Sequence, residues 1–283
     1  MGSRSGFVLR AGRIVYTNDL PIYTAFDEGA VRFPGSFTAD VPTRLNRMLL
    51  EHRLDLSPIS AFFFAQHADT FALLPDLCIG SRRATLSVIL VSVRPLEALD
   101  GATIAVTAES ASGRNLLRVL LEGQYGIRAH FAETDDPLAS VRRGEPTLLI
   151  GDRAIDAQLE CMPQRVHDLG TLWSAWTGMD MVYAVWAVHR KTLASDPQSV
   201  GEALDALREA RAWGVANPER AVAAAQAKKP RTLGFYASYY KTLNFTFDDR
   251  ARAGFARYCA ELHAIGALSS VPSLDSQVFL VRR

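Results

Sequence analysis

Short apolar segments alternate with amphipathic segments as far as about Ser195, and this alternation limits the possible folds more than any other feature of the chain. The apolar segments have the length of buried strands, and those between them place apolar residues at helical spacing. Such alternation is typical of an α/β fold. The clearest helices are Thr43–Arg53 and Asn115–Glu122. The predicted strands are Gly12–Tyr16, Ala84–Val93, Ala102–Val106, Arg128–Ala132, Thr147–Ile150 and Met181–His189.

The order of the segments predicts two lobes. A break at Pro95–Gly101 separates one series of strands and helices from a second series. Beyond Ser195 the pattern is helical, until an apolar segment at Gln277–Val281 predicts a last strand. This order is expected when a second α/β lobe is inserted into the first.

The insertion gives a specific division of the chain. We assign residues 1–93 and 190–283 to lobe one and residues 94–189 to lobe two, with the strands Ile89–Val93 and Tyr183–Val188 as the two crossings. A ligand is then expected in the cleft between the lobes, where strand ends and helix N-termini converge.

The charge balance excludes several classes of protein. The chain carries 31 Lys+Arg against 30 Asp+Glu, a formal net charge of +1. Bulk binding to nucleic acid or to an anionic membrane needs a concentrated basic surface, so we expect neither partner. No apolar run is long enough to span a bilayer and the N-terminus lacks a secretory signal, so we expect a cytoplasmic protein.

Metal and nucleotide chemistry find no support in the residue spacing. Cys78, Cys161 and Cys259 lie far apart, and we expect them to be reduced and packed as small apolar side chains. The six histidines show no metal-ligand spacing, and the chain has no glycine-rich nucleotide motif and no nucleophile elbow. We therefore expect no metal and no cofactor.

One strand-to-helix junction has the composition of an anion site. Ser110, Ser112 and Gly113 lie between the strand Ala102–Val106 and the following helix. Hydroxyls and backbone N–H groups at a helix start can bind an anion, and the same residues also serve as ordinary helix caps. The spacing alone does not separate these two functions.

Four other polar residues stand where strands end or pass the cleft. Asn18 can orient a carboxylate or a hydroxyl, or it can form a turn before Pro21. Ser60 and Ser87 can donate into the cleft or lie in the core. Asp152 is typical of a helix N-cap. The residues alone thus predict a two-lobed binder of a small anionic molecule, which is either a binding protein or an enzyme.

Seven segments, in this order, carry a more specific resemblance. They are Gly12–Tyr23, Pro42–Asn46, Asp55–Ser60, Ser87–Ser92, Leu148–Ala154, Asp168–Gly170 and Trp176–Trp186. Together they resemble the chorismate dehydratases of the futalosine route to menaquinone. The chain departs from that pattern at three points: Asp180 stands where the family usually has proline, His52-Arg53 replaces a more usual glycine, and Ser112-Gly113 stands where the family more often has Thr-Ser.

The resemblance implies a type II periplasmic-binding-protein-like fold, which agrees with the insertion pattern. It also implies that the chain dehydrates chorismate to 3-[(1-carboxyvinyl)oxy]benzoate without metal or cofactor. On this basis we expect the ring carboxylate at the helix start Ser110–Gly113, with Ser60 and Ser87 as further donors. The substrate's own enolpyruvyl carboxylate would take the proton, oriented by Asn18, and Asp152 is the runner-up base.

Three alternatives share the fold. A sister enzyme of the same family makes 1,4-dihydroxy-6-naphthoate with a histidine base in the segment that resembles Ile150–Asp152, and Gly151 in this chain argues against it. The others are a non-catalytic binding protein for a small carboxylate and the ligand-sensing domain of a transcription regulator. Neither the export signal of the former nor a leading helix-turn-helix segment of the latter is evident.

Overall fold

Two β-sheets form the centre of the protein. The structure, a computed structural model, describes residues 8–109, 111–160 and 165–274. The first sheet has the order β11-β4-β10-β3-β1-β2 and contains β1 (Leu9–Ile14), β2 (Gly35–Asp40), β3 (Leu56–Ser60), β4 (Phe71–Ser81), β10 (Met181–His189) and β11 (Leu243–Asn244). The second has the order β7-β6-β8-β5-β9 and contains β5 (Val88–Val91), β6 (Thr103–Val106), β7 (His130–Glu133), β8 (Thr147–Ile150) and β9 (Val166–Asp168).

Helices cover both sheets. They are α1 (Leu20–Asp27), α2 (Pro42–Leu50), α3 (Ala61–Gln66), α4 (Ala111–Val119), α5 (Pro137–Arg142), α6 (Gly151–Glu160), α7 (Leu169–Thr177), α8 (Arg190–Ser195), α9 (Pro197–Ala216), α10 (Pro218–Lys228), α11 (Phe235–Thr242) and α12 (Asp249–Ala264). A 3₁₀ turn, Thr17–Asp19, precedes α1, and α4 continues into a π-helical turn, Leu120–Gln124. Of the helices in the described ranges, none is both long and apolar enough to cross a membrane.

Local sequence sets where many of these helices begin. Proline is the first residue of α2, α5, α9 and α10, where its missing N–H has no intrahelical partner to lose. An aspartate immediately before α5, α7, α9 and α12 accepts a hydrogen bond from a backbone N–H of the first turn. These prolines and aspartates therefore fix the first residue of each of these helices.

The predicted two-lobed α/β fold with an inserted second lobe is confirmed. The chain leaves the first sheet after β4, builds the whole second sheet, and returns to the first sheet at β10. The helices that follow Ser195 pack on the first lobe, with α9 against α1 and α12 against β10.

The sheets shift the expected division of the chain by one strand at each crossing. We expected β5 in lobe one, but it pairs antiparallel with β8 and β9 of the second sheet. We expected β10 in lobe two, but it lies between β3 and β4 of the first sheet. Both strands are apolar and buried, and such composition does not reveal which sheet a strand joins. We therefore propose that the lobes divide between β4 and β5 and between α7 and β10.

Two predicted strands have the observed bounds, and a third is shorter than predicted. Thr147–Ile150 and Met181–His189 form strands with the predicted bounds. The predicted strand Ala84–Val93 is shorter, because the N–H groups of Thr85 and Leu86 bond to Asp168 and only Val88–Val91 joins the ladder. The predicted strand Gln277–Val281 lies outside the described residues.

The cysteines that the structure describes are buried. Cys78 and Cys259 are both free thiols with no exposed surface. Burial raises the pKa of the Cys259 thiol to about 12, so the thiol stays protonated. Cys161 lies outside the described residues.

We predict that two glycines of α9 respond in opposite ways to alanine. A Cβ at Gly214 would lie 1.7 Å from the carbonyl oxygen of Pro21, so Gly214→Ala must separate α9 from α1 and should lower the free energy of unfolding by about 1–3 kcal/mol. Gly201 has no neighbour within 4 Å, so Gly201→Ala should raise it by about 0.5–1 kcal/mol. Urea unfolding of both variants checks this, and equal effects would contradict the close approach of α9 to α1.

Candidate active site

A cavity of about 640 Å³, partly open to solvent, lies between the lobes. This volume includes space that is open to solvent. The first lobe contributes Ile14, Tyr16, Asn18, Pro42, Ser60, Ile79, Tyr183 and Ala184 to its lining. The second lobe and the segment that leads into it contribute Thr85, Ser87, Val88, Glu109, Ala111, Ser112, Gly113, Ile150 and Gly151.

Four helices begin at this cavity. Its lining includes Pro42 of α2, Ser60 before α3, Ala111–Gly113 of α4 and Gly151 of α6. N–H groups in the first turn of a helix lack intrahelical acceptors and carry partial positive charge, so they attract anions. The described lining contains neither lysine nor arginine. An anion in the cavity would therefore be held by backbone N–H groups and hydroxyls.

Ser112 and Ser60 join the two lobes at the back of the cavity. Ser112 Oγ lies 3.0 Å from Ser60 Oγ and 3.0 Å from the carbonyl oxygen of Tyr183, and it accepts a hydrogen bond from the N–H of Phe62 at 3.2 Å. Ser60 also caps α3 by accepting from the N–H of Phe63. The two hydroxyls thus fix the start of α4 against the start of α3.

Asn18 carries an unsatisfied acceptor at the cavity. The residue lies in the 3₁₀ turn after β1, and its side chain lines the cavity. Its Oδ1 is buried and has no hydrogen-bond partner among the described residues. A buried acceptor without a donor is unfavourable by about 1–3 kcal/mol, and a donor from a bound molecule would relieve this cost.

Ser87 is also among the residues that line the cavity. Its hydroxyl donates to the carbonyl oxygen of Thr85 at 3.2 Å and lies 3.3 Å from Thr85 Oγ1. Its carbonyl accepts from the N–H of Gly151 at 2.8 Å, which connects the crossing segment to the start of α6. The structure therefore brings Asn18, Ser60, Ser87, Ser112 and Gly113 to one cavity.

One predicted site residue, Asp152, is not among the described residues that line the cavity. Asp152 instead accepts hydrogen bonds from Thr17, from the N–H at 3.3 Å and from Oγ1 at 2.5 Å. Its carboxylate ties α6 to the 3₁₀ turn of the opposite lobe. Ser110 lies outside the described residues.

The sequence analysis missed a tyrosine–glutamate pair. The Tyr16 hydroxyl donates to the Glu109 carboxylate at 2.6 Å, across the cleft, and both residues line the cavity. Burial, with the neighbouring carboxylate, raises the pKa of Tyr16 well above its ordinary value, and burial does the same for Tyr183. Both tyrosines are therefore neutral. The sequence gives little sign of this pair, because a glutamate just before a helix is common there for another reason. Its negative charge interacts favourably with the helix dipole.

Within residues 8–109, 111–160 and 165–274, no three His, Cys, Asp or Glu side chains are grouped so that they could hold a metal ion.

The chain is similar to known proteins over most of its length. A family model described as menaquinone biosynthesis matches residues 9–264. This chain belongs to the menaquinone biosynthesis family. It is 34% identical over 204 residues to a chorismate dehydratase of Thermus thermophilus, covering 67% of this chain and 72% of that protein. It is 27% identical over 279 residues to the 1,4-dihydroxy-6-naphthoate synthase of the same organism, covering 93% of this chain and 97% of that protein.

Solved structures similar to this member of the menaquinone biosynthesis family support the fold. Protein AF1704 of Archaeoglobus fulgidus superimposes with a TM-score of 0.73 at 19% identity, over 92% of this chain and 98% of that one. The alkanesulfonate-binding protein of Xanthomonas axonopodis, bound to MOPS, gives 0.72 at 13% identity, over 98% and 99%. The aliphatic sulphonate binding protein of Escherichia coli gives 0.68 at 15% identity, over 98% and 93%. The periplasmic-binding-protein-like fold is thereby confirmed.

Asp19, next to Asn18, is a buried carboxyl group in this family member. Its Oδ2 accepts from the N–H of Ile14 at 2.9 Å, and its Oδ1 has no partner in the described part of the chain. Burial raises its pKa to about 8, although the nearby charge of Arg13 opposes the shift.

We predict that Asp19→Asn weakens the pH dependence of stability. Its carboxyl titrates near 8 in the folded chain and near 4 when unfolded, so between these values the folded chain binds one more proton. The free energy of unfolding should therefore fall as pH rises through this window, and asparagine removes that contribution. Urea unfolding of the wild type and of Asp19→Asn at about pH 5 and about pH 8 measures the change in the free energy of unfolding. A pH difference of equal size in both proteins would show that Asp19 is already ionised when folded.

Proposed function

We propose that this protein is an enzyme that dehydrates chorismate to 3-[(1-carboxyvinyl)oxy]benzoate in menaquinone biosynthesis. The family membership and the 34% identity to a chorismate dehydratase support the reaction. The structural observation that carries it is Asn18, which belongs to the lining of a cavity where helix N-termini converge and whose buried Oδ1 has no hydrogen-bond partner among the described residues.

Chorismate matches the polar groups of the cavity. It has a ring carboxylate, a second carboxylate on the enolpyruvyl ether at C3, and a hydroxyl at C4. Helix N-termini from both lobes can receive its two carboxylates. The C4 hydroxyl can donate to Asn18 Oδ1, which has no donor among the described residues.

The reaction removes the C3 proton and the C4 hydroxyl, which leave together as one water, and the ring becomes aromatic. The C3–H bonding pair becomes the C3–C4 π bond as the C4–O bond breaks. The conjugated ring carboxylate accepts negative charge during this change. We assign that carboxylate to the first turn of α4 at Ser112 and Gly113, with Ser60 and Ser87 as further donors, because fixed donors stabilise developing charge. The net reaction is redox-neutral and requires no redox cofactor.

We propose that the enolpyruvyl carboxylate of chorismate accepts the C3 proton. Asp152 is engaged with Thr17 and does not line the cavity, so the geometry gives little support to Asp152 as the base. Glu109 lines the cavity but accepts a hydrogen bond from Tyr16. Asn18 would orient the substrate carboxylate and polarise the leaving hydroxyl.

The alternatives receive less support. Naphthoate synthase activity is disfavoured by the lower identity of 27% and by Gly151. Gly151 has φ +58°, and a Cβ there would lie 2.9 Å from the Tyr16 ring, so a histidine at this position would displace Tyr16. A non-catalytic carboxylate-binding protein shares the fold and is an outcome of the test below. A cytoplasmic location stays a prediction from the sequence.

The decisive experiment mixes purified protein with chorismate, without added cofactor, and follows products by chromatography and mass spectrometry. We expect a product lighter by one water that retains the enolpyruvyl group. Asn18→Ala should lower kcat/KM by about 100-fold without lowering the unfolding midpoint, because it removes an oriented polar group from the reacting centre and a buried acceptor that has no partner among the described residues. Saturable binding without turnover would identify a binding protein, and full turnover by Asn18→Ala would remove Asn18 from the mechanism.

We predict that Glu109→Gln keeps most of the activity. Glutamine still accepts a hydrogen bond from Tyr16 but cannot take a proton, so kcat should fall by less than about tenfold if the substrate carboxylate is the base. Loss of a general base costs about 100-fold or more. A fall of that size in steady-state kcat, with chorismate binding retained, would assign the base to Glu109.

A further inference from the structure

The segment Thr85–Ser87, which connects the lobes, has an unusual backbone. Thr85 and Ser87 line the cavity, and Leu86 between them has φ +58°. This left-handed conformation is uncommon for a residue other than glycine, asparagine or aspartate, so it requires support from the surrounding structure.

Asp168, the last residue of β9, supplies that support. Its Oδ1 and Oδ2 accept from the N–H of Thr85 at 3.1 and 3.0 Å, and Oδ2 accepts from the N–H of Leu86 at 2.7 Å. The same carboxylate caps α7 through the N–H of Thr171 at 2.8 Å. One side chain therefore satisfies two consecutive N–H groups of the crossing segment and the start of a helix.

Neighbouring groups hold the segment from other sides. Gln158 Nε2 donates to the carbonyl of Leu86, and the carbonyl of Ser87 accepts from Gly151. A Cβ at Gly170 would lie 2.3 Å from the carbonyl oxygen of Arg83, so only glycine lets α7 approach the chain this closely. Asp168 and Gly170 therefore both contact the backbone that precedes Ser87, the first through hydrogen bonds and the second through close packing.

We propose that Asp168 is a positioning residue, which holds Thr85–Ser87 so that the Ser87 hydroxyl meets the substrate. The inference rests on the proposed function, in which Ser87 is a donor to chorismate. Asp168 itself does not line the cavity, so it acts through the backbone of the segment. Losing its carboxylate frees two N–H groups and lets Leu86 leave the left-handed region, which displaces Ser87.

The test is a double-mutant cycle on kcat/KM for chorismate with Asp168→Ala and Ser87→Ala. Asp168→Ala should lower kcat/KM by about 10–100-fold, as expected for a misplaced catalytic-site group. Ser87→Ala should cost much less in the Asp168→Ala background than in the wild type, because Ser87 is already displaced there. Costs of Ser87→Ala that are equal in the two backgrounds would overturn the proposal.

Asp136→Ala is the matched control. Asp136 caps α5 in the same lobe by accepting from Ala139, as Asp168 caps α7, but it has no bond to Thr85–Ser87. This variant should keep wild-type kcat/KM, and its unfolding midpoint should fall less than that of Asp168→Ala, because the exposed Asp136 carboxylate loses only the cap bond. If Asp168→Ala does not fold, Asp168→Asn, which retains one acceptor oxygen, replaces it under the same criteria.

Amide hydrogen exchange provides a readout that does not depend on activity. Exchange in residues 82–90 should rise by about tenfold in Asp168→Ala and remain unchanged in Asp136→Ala. Unchanged exchange in Asp168→Ala would overturn the positioning role. If the wild-type protein does not convert chorismate, the proposed function fails, and the exchange comparison still decides whether Asp168 holds the segment.

Discussion

Hydrogen bonds that cross from one lobe to the other determine the shape of the site. Each connects a strand end or 3₁₀ turn of one lobe with a helix start, or the loop before it, of the other. They join Ser60 to Ser112, Tyr16 to Glu109 and Thr17 to Asp152. Since these bonds are short and made largely by buried or half-buried groups, they position the helix N-termini within one cavity. Without this relative placement, neither lobe alone presents enough donors for an anion with two carboxylates.

The charge distribution of the cavity is matched to the chemistry we propose. Positive potential comes from helix N-termini and hydroxyl donors, because the described lining contains no lysine or arginine. A cation bound to the enolpyruvyl carboxylate would lower its pKa and weaken it as a proton acceptor. Neutral donors can hold the same carboxylate in place with a smaller loss of basicity. Tyr16 and Tyr183, which are half-buried, stay protonated and add no charge to the cavity.

The sequence predicted the bounds of some strands correctly, but it did not predict which sheet each strand joins. β8 and β10 have the predicted bounds, because apolar strands flanked by turn or helix-cap residues are defined by local sequence. β5 and β10 join the sheets opposite to those expected, because pairing depends on residues far away in the chain. The predicted strand at residues 84–93 was too long, since the carboxylate of Asp168, more than 75 residues later, binds the N–H groups that a ladder would need.

The sequence alone determined the α/β class, the insertion of one lobe into another and the family resemblance. It also pointed to five residues that line the cavity, Asn18, Ser60, Ser87, Ser112 and Gly113. These features depend on local composition and on motifs in a fixed order. Only the tertiary structure decided that Glu109 lines the cavity and that Asp152 binds Thr17. Both residues are carboxylates at the start of a helix, so their local sequences look alike. Their different environments arise from the packing of one lobe against the other.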